Sequence, residues 1–188
     1  MQQYIVQARW IRAFRWLHRK LALASFLLFL LVTVTGVLLG WKKEMGFQAP
    51  TAKGASADPL SWLPMSVLHE KANLYLRDSV GGALSTELDR IDVRPAKGIA
   101  KFIYLNHYWG LQLDCTTGEL LSIEKRSSDF IEDLHDGSIV DRLIGAPDEP
   151  VKLGYILVLG LSLIMLVLSG LWMWWGPKRI RFLKKQHK

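Results

Sequence analysis

Two long apolar segments dominate the pattern of hydrophobic and polar positions along the chain. Residues 21–41 and residues 153–177 each run without a single charged side chain. An α-helix rises about 1.5 Å per residue, so about 20 residues cross a hydrocarbon core that is about 30 Å thick. The pattern therefore predicts two transmembrane helices. A cleaved signal peptide is a poorer explanation of the first segment, because its apolar run is too long and the small-residue triplet at 55–57 lies well beyond its end.

The segment between the two predicted spans changes from helical to strand periodicity. Residues 65–78 predict an amphipathic helix that Ser66 could cap. Apolar and polar residues then alternate in short runs, which predicts a meander of three or four antiparallel strands, at 91–94, 102–106, 110–114 and 120–123. Residues 128–143 predict one further helix, or two short helices broken at Gly137. One helix packed on such a sheet makes a small α+β domain inserted between the spans.

These patterns divide the chain into seven segments. The expected order is a basic amphipathic helix, the first span, a linker, the inserted domain, a juxtamembrane helix with a connector, the second span and a basic tail. The bounds are 1–20, 21–41, 42–59, 60–126, 127–152, 153–177 and 178–188.

The placement of charge predicts how the chain is oriented. Residues 1–20 and 178–188 together carry eleven of the 24 Lys and Arg residues and no acid. All 17 acidic residues lie between residues 42 and 152, where the net charge is −4. Lys and Arg close to a span stay in the cytoplasm, so both termini are expected there and the inserted domain outside. The net charge of +7 is thus explained by topology and by the lipid bilayer, and we expect no nucleic-acid partner.

Several familiar kinds of site are missing from the sequence. Cys115 is the single cysteine, so an intrachain disulfide and covalent haem attachment through a C-x-x-C-H motif are both excluded. His69-Glu70 begins like a zinc-protease motif, but Asn73 stands where the second histidine should be. With no nucleophile motif either, we do not expect a peptidase. Tyr104, Tyr108 and Trp109 could form an exposed aromatic patch, with core packing as the alternative.

Five local motifs, in this order along the chain, resemble the PepSY-associated transmembrane (PepSY-TM) family. The resemblance implies a PepSY-like module, made of a helix and a short antiparallel sheet, between the spans. The motifs are Leu17-His18-Arg19, Thr35-Gly36, the D-x-x-T-G-E-L-L hairpin at 114–121, Asp133-Leu134-His135 and Ser169-Gly170-Leu171-Trp172-Met173-Trp174-Trp175.

Larger members of that family resemble bacterial inner-membrane reductases of ferric siderophores, which carry haem between membrane histidines. The resemblance implies haem b as the cofactor, with His18 and His135 as its ligands, through iron coordination by imidazole. Read from the residues alone, His18 is either a ligand or an interfacial histidine that makes a packing or headgroup contact. His135 is either a haem ligand, or part of a hard-ligand metal cluster with its acidic neighbours, or a histidine satisfied by a carboxylate.

The predicted topology separates the two histidines. His18 and His135 lie on opposite sides of a core about 30 Å thick, whereas axial ligands of one iron stand about 4 Å apart. Haem binding would therefore require a homo-oligomer or another membrane subunit. The G-x-x-x-G at 36–40 could support a dimer, or equally the packing of the two spans within one chain.

Two functions follow as hypotheses. The first is a component of envelope iron and siderophore handling that passes electrons through haem, at most one part of a haem-dependent ferric reductase. The alternative is a non-enzymatic, membrane-anchored module whose PepSY-like domain binds a partner or restrains a protease. Electron transfer requires a pigment and membrane histidines, whereas a tethered binding module requires neither.

Overall fold

The computed structural model describes the backbone of residues 2–186 and the side chains of residues 6–182. Within that range two long helices flank a small domain made of a helix, a sheet and two short helices. The helices are α1 (Gln2–Gly40), α2 (Met65–Ser79), α3 (Ser127–Asp136), α4 (Ser138–Ile144) and α5 (Pro150–Gln186), and the strands are β1 (Leu88–Arg94), β2 (Ile99–Tyr104), β3 (Trp109–Asp114) and β4 (Leu120–Lys125). The α+β class with two candidate spans is confirmed.

Helices α1 and α5 contain the two candidate membrane spans. Val6–Gly40 and Pro150–Phe182 each reach a mean hydropathy of 2.5, and only 11% of each most apolar window is buried. Their large apolar side chains therefore point outward, which is stable in lipid and costly in water. Each helix continues beyond the apolar segment into its basic flank, so the basic amphipathic segment and the first span form one continuous helix.

The chain folds as two compact units. The helical unit contains α1 as far as Gly36 and the chain from His135 onward, and the sheet unit is Val37–Leu134. In the helical unit α1 lies beside α5, where Phe14 contacts Trp172 with ring centroids 5.8 Å apart. Gly176 permits close packing there, because a Cβ at that position would lie 3.1 Å from Ile11.

The sheet unit has its core between α2 and one face of the sheet. The strands are antiparallel in the order β1-β2-β3-β4. Alternate residues of a strand point to one face, so Phe102 and Tyr104 of β2 and Leu111 and Leu113 of β3 reach the same core. Helix α2 adds residues at helical spacing, Leu68, Ala72 and Leu76, all fully buried.

The opposite face of the sheet is polar and is crossed by the segment before α2. Gln112 accepts a hydrogen bond from the amide of Ala52 and donates one to the carbonyl of Pro50, both at 3.0 Å. The amide of Ala55 donates to Asp114 at 2.6 Å. The segment that composition predicts to be a linker is therefore held against the sheet by its backbone.

Three local details were left open or predicted differently. Ser66 does not cap α2, because the helix begins at Met65 and Pro64 occupies the cap position without any side-chain bond. Tyr104 is buried in the core and Trp109 packs against that core, so neither contributes to an exposed aromatic patch. The segment after β4 forms the two short helices of the second alternative, since Gly137 breaks it with φ +84°.

Candidate functional site

His135 lies at the end of α3 and contacts α1 within the helical unit. Its Nδ1 is 2.9 Å from the Thr35 hydroxyl oxygen. The next residue, Gly36, makes this approach feasible, because a Cβ there would lie 3.3 Å from His135 Cε1. A larger residue than glycine would press on the imidazole edge.

The Thr35 hydroxyl offers His135 a hydrogen-bond partner at Nδ1. A hydroxyl has a single proton, and the Thr35 hydroxyl lies 2.7 Å from the carbonyl of Leu31, to which it can donate. Its oxygen is then free to accept from His135 Nδ1. In the tautomer with the proton on Nδ1, Nε2 is the nitrogen through which a histidine can bind a metal.

His18 makes the same arrangement near the other end of the helix pair. Its Nδ1 is 2.8 Å from the hydroxyl oxygen of Ser169, a fully buried residue on α5. Ser169 donates its own proton to the carbonyl of Leu166 at 3.1 Å. The Ser169 oxygen is then free to accept from His18 Nδ1, which leaves Nε2 as the nitrogen that could bind a metal. Gly170 follows Ser169, and a Cβ there would lie 3.8 Å from His18 Cε1.

The two histidines form two separate sites rather than one. His18 and Thr35 are seventeen positions apart on the continuous helix α1, which corresponds to about 26 Å along its axis. Since His135 is bonded to Thr35, its ring lies one span length away from His18. The two rings cannot ligate one iron.

Charged and polar groups surround His135 on the short helices. Asp136 contacts Lys152 at 3.0 Å and accepts hydrogen bonds from the amide and hydroxyl of Ser138. Burial alone would raise the pKa of Asp136, but these bonds and the lysine charge outweigh it and hold the pKa below its usual value. Asp136 therefore stays ionised beside the histidine and anchors the start of α5.

An aromatic cluster lies next to His18. Trp10, Phe14, Trp172 and Trp175 follow one another with ring centroids 5.8–6.4 Å apart. The indole nitrogen of Trp172 is buried and has no hydrogen-bond partner among the described residues. The cluster places apolar rings at this end of the helix pair, and the N–H of Trp172 is available there as a donor.

The residues at each position fit a role as one of the two protein ligands of a haem iron. Each site offers one imidazole whose Nδ1 contacts a hydroxyl, and at His135 the neighbouring Gly36 lets the ring lie close to α1. Within the described residues no group of three His, Cys, Asp or Glu side chains is placed to hold a metal ion, so the acidic neighbours of His135 do not form a hard-ligand cluster with it. Each of the two positions would supply one histidine, and a second protein ligand would have to come from another chain.

The remaining histidines of the described domain have structural partners. His69 Nε2 is 3.0 Å from the amide nitrogen of Asn73, the residue that interrupts the zinc-protease pattern. His107 Nε2 is 3.0 Å from the carbonyl of Ser85. Sequence reasoning named His18 and His135 but missed Thr35 and Ser169 as their partners. The Thr35-Gly36 and Ser169-Gly170 pairs within the spans were the available signal.

Comparison with known proteins gives one match. The family model described as the PepSY-associated TM region matches residues 5–177, which is nearly the whole chain. No curated protein and no solved structure matches the chain significantly.

Proposed function

The chain belongs to the PepSY-associated TM region family, and from that premise we propose that it is an electron-transfer component of envelope iron handling in a bacterial inner membrane. In this proposal haem b is held by His18 at one side of the membrane and by His135 at the other. Each haem takes its second imidazole from the same residue of another copy, or from a partner subunit.

The hydroxyl partner of each histidine is the observation that supports this proposal most. A histidine that only packs or meets a headgroup needs no such partner. Here Nδ1 of each ring lies 2.8 Å or 2.9 Å from a hydroxyl that itself donates to a helix carbonyl. Such a contact orients the ring, as the outer partners of metal-bound histidines do.

The chain's own residues would hold, orient and isolate the cofactor. Thr35 and Ser169 would hold the imidazoles through Nδ1 and leave Nε2 for the iron, and Gly36 lets the His135 ring lie close to α1. The apolar surfaces of α1 and α5 exclude water from the sites. Haem would supply a one-electron carrier, and its potential is set by the ligands and by the polarity around them.

An absorption spectrum of the full chain, purified in mild detergent from haem-replete cells, tests the proposal. We expect a Soret band that sharpens on dithionite reduction, with one haem per two chains at each site. His18→Ala and His135→Ala should each remove one haem population, whereas His107→Ala, on the sheet unit, should leave the spectrum unchanged. Thr35→Val keeps the ligand but should weaken haem affinity about 10–100-fold at that site alone.

A colourless preparation, or a spectrum that survives both histidine substitutions, would contradict the proposal. The chain would then be better explained as a membrane-anchored binding module. That alternative is favoured by the sheet unit, which has its own core between α2 and the sheet and could present a binding surface without a cofactor.

A further inference from the structure

A polar cleft of about 200 Å³ lies within the sheet unit, and neither His18 nor His135 lines it. Its floor is the face of the sheet that does not contact α2. Asp92, Lys101 and Gln112 stand next to each other there, because β1 pairs Asp92 with Lys101 and β3 pairs Gln112 with Lys101. Residues of the segment before α2 and of α3 form its walls.

The cleft concentrates positive charge in an otherwise acidic part of the chain. Residues 42–152 carry a net charge of −4. Six basic side chains nevertheless line the cleft, against four carboxylates. The basic residues are Lys42, Arg90, Arg94, Lys101, Lys125 and Arg126.

The carboxylates of the cleft are largely engaged by other groups. Asp129 forms an ion pair with Arg126, and Asp92 lies 3.8 Å from Arg90. Glu124 accepts hydrogen bonds from Ser122 at 2.8 Å and from Gln112 at 3.2 Å.

Four cations of the cleft are left without a carboxylate. Among the described side chains, no carboxylate lies within ion-pair distance of Lys42, Arg94, Lys101 or Lys125. They come from four different segments of the chain, so their charges are spread around the cleft rather than focused on one point.

Lys101 lies at the centre of the cleft floor, between Asp92 and Gln112 on the neighbouring strands. It is partly buried in the middle of β2, and its ammonium donates to the Thr51 hydroxyl at 3.2 Å. Burial lowers the pKa of Lys101, and the positive charges of Arg94 and Lys97 lower it further, while Glu124 and Asp92 offset only part of this. A negative group in the cleft would therefore stabilise the charged form of Lys101.

Gly110 shapes the side of the cleft nearest α3. A Cβ at this position would lie 2.6 Å from Cδ of Arg126. A larger residue at Gly110 would displace the Arg126 side chain, whose guanidinium forms an ion pair with the Asp129 carboxylate. The Arg126 guanidinium is therefore held in place on this side of the cleft.

We propose that this cleft binds a small molecule with several carboxylates. Charge complementarity favours an anion, because the lining has six basic side chains against four carboxylates and four of the basic side chains have no ion-pair partner among the described residues. The spread of those four cations over four segments of the chain suits a ligand whose own charges are separated, which a single phosphate does not provide. This site is independent of haem, so it stands or fails separately from the proposed electron transfer.

Isothermal titration of the full chain in detergent micelles with citrate, as a tricarboxylate probe, tests the site. We expect saturable binding that weakens as salt is added, because salt screens partly exposed charges. Lys101→Gln and Arg94→Gln should each lower the affinity at least tenfold, and Lys101→Arg should retain much of it. Lys53→Gln removes an exposed lysine outside the cleft and should leave citrate affinity unchanged.

The competing outcomes are distinct. Absence of citrate binding, or equal binding by folded Lys101→Gln with an unchanged near-UV circular dichroism spectrum, would overturn the proposal. Inorganic phosphate binding as tightly as citrate would overturn the assignment to carboxylates and indicate a simple oxyanion site. His18→Ala should bind citrate normally, which separates this test from the haem experiment.

Discussion

At the scale of single residues, Asp114 shows how one side chain holds two segments of the chain. It stands at the end of β3 in the turn to β4 and is only 4% exposed. One carboxylate oxygen accepts from the amides of Thr116 and Thr117, and the other accepts from Ala55. The same side chain therefore closes the hairpin and fastens the segment that crosses the sheet.

Because of these hydrogen bonds, Asp114 contributes to the loss of folding stability at low pH. Burial alone would raise its pKa, but the three amide hydrogen bonds outweigh burial and hold the pKa below its usual value. The native state thus binds the proton less readily than the unfolded state. The resulting stabilisation is present above the unfolded pKa, near 4, and is lost as the pH falls through the lower native pKa.

We predict that Asp114→Asn lowers the free energy of unfolding at pH 7 by about 1–3 kcal/mol, because the amide turns a donor toward the Ala55 amide. The loss of stability on going from pH 7 to pH 3 should be smaller than in the unsubstituted chain. Urea denaturation followed by tryptophan fluorescence measures both. Asp78→Asn, at an exposed site, should change stability by about 0.5 kcal/mol or less, and equal acid sensitivity of the Asp114 variant would contradict the assignment.

At the scale of elements, the break between α3 and α4 places His135. Gly137 adopts φ +84°, which L-residues with side chains rarely adopt, and it packs against the Tyr155 ring of α5. Just beyond it, Asp141 accepts hydrogen bonds from the amides of Val151 and Lys152 and so caps the start of α5. These contacts connect the turn after His135 to the start of α5, and so help to position His135 for its contact with Thr35.

We predict that Gly137→Ala destabilises the helical unit by about 1–2 kcal/mol, because alanine is strained at positive φ and its Cβ would lie 3.0 Å from the Tyr155 ring. Thermal unfolding in detergent measures the change. Gly154→Ala is the matched control in α5, where nothing lies within 4 Å, and it should be neutral or slightly stabilising. Equal stability of the two variants would show that the break is not required.

At the scale of the whole molecule, charge and apolar length together define a two-span membrane protein. The apolar surface of α1 and α5 is exposed along most of both helices, which lipid can cover and water cannot. The basic residues of the two tails and the acidic residues of the inserted domain differ in sign. We therefore propose that both termini are cytoplasmic and that residues 42–152 are outside.

Cysteine labelling tests that orientation. In a Cys115→Ala background, Lys53→Cys should react with a membrane-impermeant maleimide in intact spheroplasts. Gln186→Cys should react only after the membrane is permeabilised. The reverse pattern would show that the positive-inside rule fails for this chain.

The sequence alone determined the spans, the strand meander and the candidate histidines. Spans are predictable because an uncharged apolar run of sufficient length can cross the hydrocarbon core as a helix, whatever the rest of the chain does. The strands are predictable because period-two alternation follows from the pleat, as in Gly110 to Asp114. The resemblance that named the family is confirmed, because the family model matches nearly the whole chain.

Only the tertiary structure decided which distant residues meet. Thr35 reaches His135 across 100 positions of sequence and Ser169 reaches His18 across 151, and no local pattern encodes such pairings. Composition indicates that residues 48–59, which are part of the predicted linker at 42–59, form no regular contacts. In the structure, however, side chains of β3 on the open face of the sheet form hydrogen bonds with the backbone of that segment. Local periodicity specifies elements, whereas contacts between elements depend on packing that a one-dimensional pattern does not contain.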